Sequence, residues 1–144
     1  MKISTKGRYA LRLMLELAVN KPDEYMSIKT IAANQNISGK YLEQIIAVLG
    51  RAGFVRSVRG AKGGYRLANP AETYTVGSIL RLIEGDLSPV SCMEDSENQC
   101  PRSATCVTLE VWQQLDEAIC GVVDNITLAD LAQRQQQRDL SVVG

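Results

Sequence analysis

Apolar positions recur at helical spacing over most of this chain and alternate only briefly. In residues 5–20, Tyr9, Ala10, Leu13, Met14, Leu17 and Ala18 mark one helical face. Leu11 and Leu15 add a second apolar side, so this helix needs two partners: its own core and a further surface such as another subunit. Lys21-Pro22-Asp23-Glu24 breaks the pattern. Ser27 is placed to cap a short helix over 28–35. Asn36 stands where a sharp turn needs positive φ, which Asn tolerates. Ser38 caps a longer helix from about Gly39 to Ala52, and Gly53 stops it. Its buried stripe is Leu42, Ile45, Ile46 and Leu49. The period then shortens. Phe54 to Arg59 is β-prone, Gly60-Ala61-Lys62-Gly63-Gly64 turns the chain, and Tyr65-Arg66-Leu67 returns as a second strand.

Pro70 ends that unit, and Thr75 caps a helix over 76–84 with Val76, Ile79, Leu80 and Ile83 on one face. Residues 86–104 lack periodicity and are rich in Ser, Asp, Glu, Asn and Pro, which predicts a loop. A long helix follows from about Val107 to Val123. Trp112, Leu115, Ile119, Val122 and Ile126 step by 3, 4, 3 and 4 along it, a narrow seam that predicts a dimer interface. A short last helix is expected over 126–131, then a polar, Gln-rich, mobile tail. The predicted fold is mainly α: a winged helix-turn-helix domain with a two-stranded wing and a long C-terminal dimerisation helix. Its domain spans 1–131, with the helix-turn-helix at 28–52, the wing at 54–67, a cysteine loop at 88–106 and the dimerisation helix at 107–124. Residues 132–144 form the flexible tail.

Composition sharpens this picture. Hydrophobic residues make up 45% and aromatics only 5%, so the core is aliphatic, as suits helices packed on helices. The net charge is zero but unevenly spread. Residues 1–70 hold twelve Lys and Arg against four Asp and Glu, net +8; residues 71–144 hold four against twelve, net −8. A basic half suits phosphate, and an acidic half is repelled by it. No apolar run is long enough to span a membrane, and the opening residues lack an apolar signal segment. A cytoplasmic protein is expected, in which four cysteines are not a disulfide framework. Histidine is absent, as are a nucleotide motif and paired catalytic carboxylates, which argues against an enzyme.

The second helix of the pair presents Lys40, Glu43, Gln44, Ala47 and Arg51 opposite its apolar stripe. In a major groove, Gln pairs with adenine, Lys or Arg with guanine, and Glu with the cytosine amine. Lys40, Glu43 and Gln44 are the candidate base readers, with Ser38 and Tyr41 on phosphate. An ordinary helical hairpin with a solvated face fits this pattern equally well; the hairpin that follows favours DNA. Arg59 and Lys62 flank Gly60 and Ala61 on a glycine-rich tip, suited to a minor groove or the backbone. A nucleotide phosphate cradle is disfavoured, because the loop lacks a Gly-Lys-Ser/Thr ending.

Cys92, Cys100 and Cys106 lie in the acidic loop, with seven and five residues between them, and Cys120 lies in the long helix. These gaps exceed the pairs of a structural zinc site, whereas iron–sulfur clusters accept wider loops. The polar flanks argue for ligand or redox thiols rather than core residues. Cys120 reads instead as packed in or near the dimer helix.

Several stretches together resemble one family. They are Met1-Lys2-Ile3-Ser4-Thr5-Lys6-Gly7-Arg8-Tyr9-Ala10, Ile37-Ser38-Gly39-Lys40-Tyr41-Leu42-Glu43-Gln44, Val58-Arg59-Gly60-Ala61-Lys62-Gly63-Gly64-Tyr65 and Cys106-Val107-Thr108-Leu109-Glu110-Val111-Trp112. The chain is similar, over about residues 1–131, to the winged-helix regulators that include the iron–sulfur cluster regulator IscR, the nitric oxide sensor NsrR and the cysteine metabolism repressor CymR. The resemblance implies a homodimer on a palindromic double-stranded DNA operator, acting as a repressor. It also implies an iron–sulfur cluster, of 2Fe–2S type, on Cys92, Cys100 and Cys106. Departures leave the fourth ligand open. The first cysteine gap is longer than usual, Leu109 stands where IscR-like members place a histidine, and Arg8 stands where NsrR-like members place an acid. Glu110, Glu16, a loop carboxylate, a small molecule or nothing could fill that place. CymR-like members lack the three-cysteine loop, yet the N-terminal half and Ser88-Pro89-Val90 resemble them. The rival readings are a cluster-free thiol- or partner-controlled repressor of cysteine or sulfur metabolism, an iron–sulfur redox protein, and an interaction module built on the seam helix.

Overall fold

The computed structural model describes residues 2–93, 101–102 and 104–143. Among these, the order is α1 (Thr5–Val19), α2 (Ile28–Gln35), α3 (Gly39–Arg51), β1 (Val55–Val58), β2 (Gly64–Leu67), α4 (Val76–Glu84), α5 (Thr108–Val123) and α6 (Leu128–Val143). Short 3-10 turns lie at Ala71–Thr73 and Ser91–Met93. The fold is mainly helical, as the periodicity predicts.

One device starts five of these helices, α6 among them through Thr127 (3.1 Å from Asp130 N). A hydroxyl at the N-cap accepts the N–H three residues on: Ser4 from Gly7 (3.1 Å), Ser27 from Thr30 (3.1 Å), Ser38 from Tyr41 (3.2 Å) and Thr75 from Ser78 (3.0 Å). Asn36 ends α2 in the left-handed region, at φ 54° and ψ 48°, and so reverses the chain into α3. The buried stripes of α1, α2 and α3 meet as one core of Leu13, Met14, Leu17, Ile31, Leu42, Ile45 and Leu49, joined by Ile79 of α4 and Leu128 of α6. A second cluster forms around Val76, Leu80 and Leu87, with Leu11, Ile119, Val123 and Ile126 packed against it. Leu11, on the second side of α1, is thus covered within the chain.

β1 and β2 pair antiparallel, from Val55 opposite Leu67 to Val58 opposite Gly64. Met26 adds a minimal third strand: its N–H donates to Tyr65 O (2.9 Å) and its carbonyl accepts from Tyr65 N (2.8 Å). Gly64 is obligatory at this junction. Its φ is +154°, and a Cβ there would collide with the Met26 carbonyl. Buried Tyr74 anchors the wing root by donating to Phe54 O at 2.8 Å and accepting from Asn69 N at 3.1 Å.

One expectation needs correction. The last helix does not end at 131; α6 runs to Val143, through the segment read as a flexible tail. Residues 132–143 contain no Gly or Pro and are rich in Gln and Arg, which favour helix, and Gln135 donates to Asp139 one turn on (3.0 Å). Thr127 and Asp130 start this helix with reciprocal caps of 2.9 and 3.1 Å. The seam of α5 is divided. Ile119 and Ile126 pack on the second cluster, whereas Leu115 and Val122 stay exposed. A helix with apolar residues on two sides fits a single-seam spacing while serving two surfaces. No described helix is long and apolar enough to cross a membrane.

Candidate nucleic-acid interface and cysteine loop

α3 divides as its sequence suggests. Leu42, Ile45, Ile46 and Leu49 are buried, while Ser38, Lys40, Glu43, Gln44, Ala47 and Arg51 are exposed. Lys40, Gln44, Ala47 and Arg51 follow one another at four, three and four residues, so they share a stripe. The oxygen of Ser38 serves as the helix cap, which leaves its O–H free to donate outward. Tyr41 is half-buried and meets Tyr9 of α1 edge-on, with ring centroids 5.6 Å apart.

α1 braces this motif through polar contacts that the sequence pattern does not reveal. Arg12 donates to Gln35 at its side-chain oxygen (3.0 Å) and at its backbone carbonyl (2.6 Å), and its guanidinium lies 5.3 Å from the Tyr9 ring centre. Glu16 accepts from Asn34 (2.6 Å) and Gln35 (2.5 Å), one on each oxygen. Both residues sit on the polar side of α1, where periodicity alone says only "solvent". Each oxygen of Glu16 thus accepts a hydrogen bond from α2.

The wing presents Arg59, Gly60, Ala61 and Lys62, all exposed. Gly60, at φ +114°, lets Gly63 N close the tip on its carbonyl at 3.0 Å. Arg66 of β2 is engaged elsewhere, paired to Asp23 (2.9 Å) and lying 4.9 Å from the Tyr25 ring centre.

Cys92 lies in the Ser91–Met93 turn, half-buried. That turn is pinned by Met93 N on Val90 O (3.2 Å) and Ser88 Oγ on Met93 O (3.2 Å). Cys106 stands just before α5, its sulfur 3.1 Å from Thr108 Oγ1. The Thr108 hydroxyl, with the Leu109 backbone N–H at the helix start, holds this thiol below the ordinary thiol value. Cys100 lies outside the described residues. Cys120 sits where α5 meets α4, with Arg81 Nη2 donating to its sulfur at 3.5 Å. It is therefore a packed residue apart from the loop.

Whether these donors suit a cluster is decided by their chemistry. With no histidine in the chain, nitrogen ligation by imidazole is unavailable, and Leu109 is buried. Among the described residues no three Cys, Asp or Glu gather as a metal-holding group. Cys106, biased toward thiolate, suits ligation, and a complete set requires Cys100 as well.

A capped recognition-type helix beside a cationic hairpin points to one class of protein, and comparison with known proteins decides it. The Rrf2 model, described as an iron-dependent transcriptional regulator, matches residues 3–134. The chain belongs to the Rrf2 family. It is 44% identical over 132 residues to the HTH-type transcriptional regulator CymR of Bacillus subtilis, covering 92% of this chain and 90% of that relative. The solved structure of CymR, the global cysteine regulator of B. subtilis, superposes with a TM-score of 0.79 at 40% identity, covering 93% of this chain and 98% of that one. T. potens IscR superposes with a TM-score of 0.77, also at 40% identity, covering 96% and 90%. This Rrf2 chain is a winged-helix DNA-binding transcription regulator and not an enzyme.

Proposed function

We propose that this Rrf2 regulator is a cytoplasmic repressor that binds a palindromic operator as a homodimer, with its cysteine loop as the sensing element. The exposed polar stripe of α3, beside an exposed cationic wing tip, carries the reading. Lys40, Glu43 and Gln44 read base edges in the major groove. Ser38, Tyr41 and Arg51 hold phosphates, and Arg59, Gly60 and Lys62 enter the adjacent minor groove. The dimer face is the open side of α5. There Val111, Leu115 and Val122 are 50%, 44% and 57% exposed, and Trp112 is half-buried at its margin. Ile119 and Ile126 back this face from within the chain.

Cys92, Cys100 and Cys106 would hold the iron–sulfur cluster of this family reading, of 2Fe–2S type. Exposed Glu110, four residues after Cys106 in the first turn of α5, is one candidate fourth ligand beside the loop carboxylates. Such a cluster supplies a redox-sensitive tie between the loop and the start of α5. The chain's own part is to bias Cys106 toward thiolate through Thr108 and to join it rigidly to the dimer helix.

The Cys106 environment and the likeness to CymR favour a second reading, a cluster-free thiol switch governing cysteine metabolism. One assay separates them. Protein purified without oxygen is analysed for iron and acid-labile sulfide, alongside a C92A/C100A/C106A triple variant. Iron and sulfide in the wild type only support the cluster. Neither metal nor sulfide, with operator binding that responds to thiol oxidants, supports the switch. Operator binding indifferent to the loop cysteines in every state contradicts both.

A further inference from the structure

α4 packs both on α1 of the DNA-binding body and on α5. The start of α4 is bonded to the α5–α6 junction, with Val76 N on Ile126 O and Leu128 N on Tyr74 O, each 2.9 Å. One turn further on, Arg81 forks onto Asp124 at the end of α5, with Nη1 and Nη2 donating to the two carboxylate oxygens at 2.5 and 3.0 Å. Gly77 makes room for this fork. A Cβ there would collide with Asp124 Oδ1, would also crowd Arg81 Nη1, and would stand 3.1 Å from Val123 Cγ2. By contrast, of residues 108–115 in the first half of α5, only Leu109 is buried. α5 is thus attached to the DNA-binding body mainly at its C-terminal end, with the Arg81–Asp124 fork at the attachment.

We infer that Arg81 and Asp124 are positioning residues for operator binding. Their fork sets the angle between α5 and the DNA-binding body, and through it the separation of the two recognition helices. This rests on the dimer reading above. The side chains of the pair are 37% and 39% exposed, so the fork adds little to stability. A two-point fork nevertheless fixes direction, which a single contact does not. The lever is long: the 16 residues of α5 span about 24 Å. A rotation of about 10° at one end displaces the other by about 4 Å, comparable with the rise of one base pair, about 3.4 Å. Half-sites are read as a pair at fixed separation, so loosening the fork blurs spacing without unfolding the protein.

The test uses D124N, R81Q and G77A in the full chain. G77A keeps both charged groups, favours helix and pries the fork apart sterically. An operator selected with the wild type is compared with versions whose half-sites are one or two base pairs closer or farther, and with a single half-site. Binding is read by fluorescence anisotropy, oligomeric state by sedimentation and folding by circular dichroism. All three variants are expected to stay folded and dimeric and to bind the single half-site as the wild type does. On the palindrome they are expected to lose about tenfold in affinity and most of the preference for native spacing. Wild-type affinity and spacing preference in both D124N and G77A would overturn the inference. Equal losses on half-site and palindrome would also overturn it, assigning the pair to folding instead. A wild type that is monomeric, or indifferent to spacing, would overturn the dimer reading and this inference together.

Discussion

Lys40 and Leu42 are two residues apart on one helix, yet one faces solvent and the other has no exposed surface. Position on the 3.6-residue turn decides that difference, and it decides which side chains are free to read DNA. K40A and Q44A are each expected to weaken operator binding by about 1–3 kcal/mol, and Q44A to relax the base preference at one position. Anisotropy titrations on matched and mismatched operators measure both. R59A acts differently: it is expected to lower the salt slope by about 1 and to weaken operators with A·T-rich flanks more than those with G·C-rich flanks. Cys106 makes a separate prediction at this scale. Because the Thr108 hydroxyl favours its thiolate, the pH midpoint of its alkylation is expected below the ordinary thiol range. T108V removes that donor, so the midpoint is expected to rise. Mass-spectrometric alkylation rates across pH read it, and an unchanged midpoint would show that Thr108 does not control the thiol.

At the scale of elements, most of the fold was legible, because hydroxyl caps, glycine stops and apolar spacing agreed. Ser27, Ser38 and Thr75 each cap the helix their sequence positions imply, and Asn36 takes the positive φ expected of it. N36V is therefore expected to lower stability by about 1–2 kcal/mol, since a β-branched side chain resists that conformation. N36G is expected to be nearly neutral. Thermal melts compare the two, and equal melting temperatures would mean the turn tolerates another geometry. The illegible features are those set by tertiary partners. Nothing local in Met26 shows that it pairs with Tyr65 of the wing, and nothing in Arg12 shows that it reaches the Gln35 carbonyl. The seam of α5 is underdetermined for the same reason, since spacing does not say whether Ile119 faces α4 or a second chain. The polar composition of residues 132–143 hid a helix, because Gln and Arg suit helices and exposed tails alike.

Over the whole molecule, charge and fold coincide. The net +8 of residues 1–70 belongs to the segment with α3 and the wing, and the net −8 of residues 71–144 to the segment with the cysteine loop and α5. Such a chain approaches DNA one way round, and its affinity is expected to fall steeply between low and physiological salt. The candidate site was legible where local motifs write it, as in the exposed stripe of α3 and the cationic tip of the wing, whereas the role of the three cysteines is a proposal. It was illegible where it depends on how α4 holds α5 against the body. The central claim is that two copies of α3 and the wing read one symmetric site. Selection of bound duplexes from a random DNA pool by the wild-type protein tests this most directly. An inverted repeat is expected, with half-site centres a whole number of helical turns apart and lost when K40A/Q44A protein is used. A single asymmetric motif, or no enriched motif at all, would contradict it.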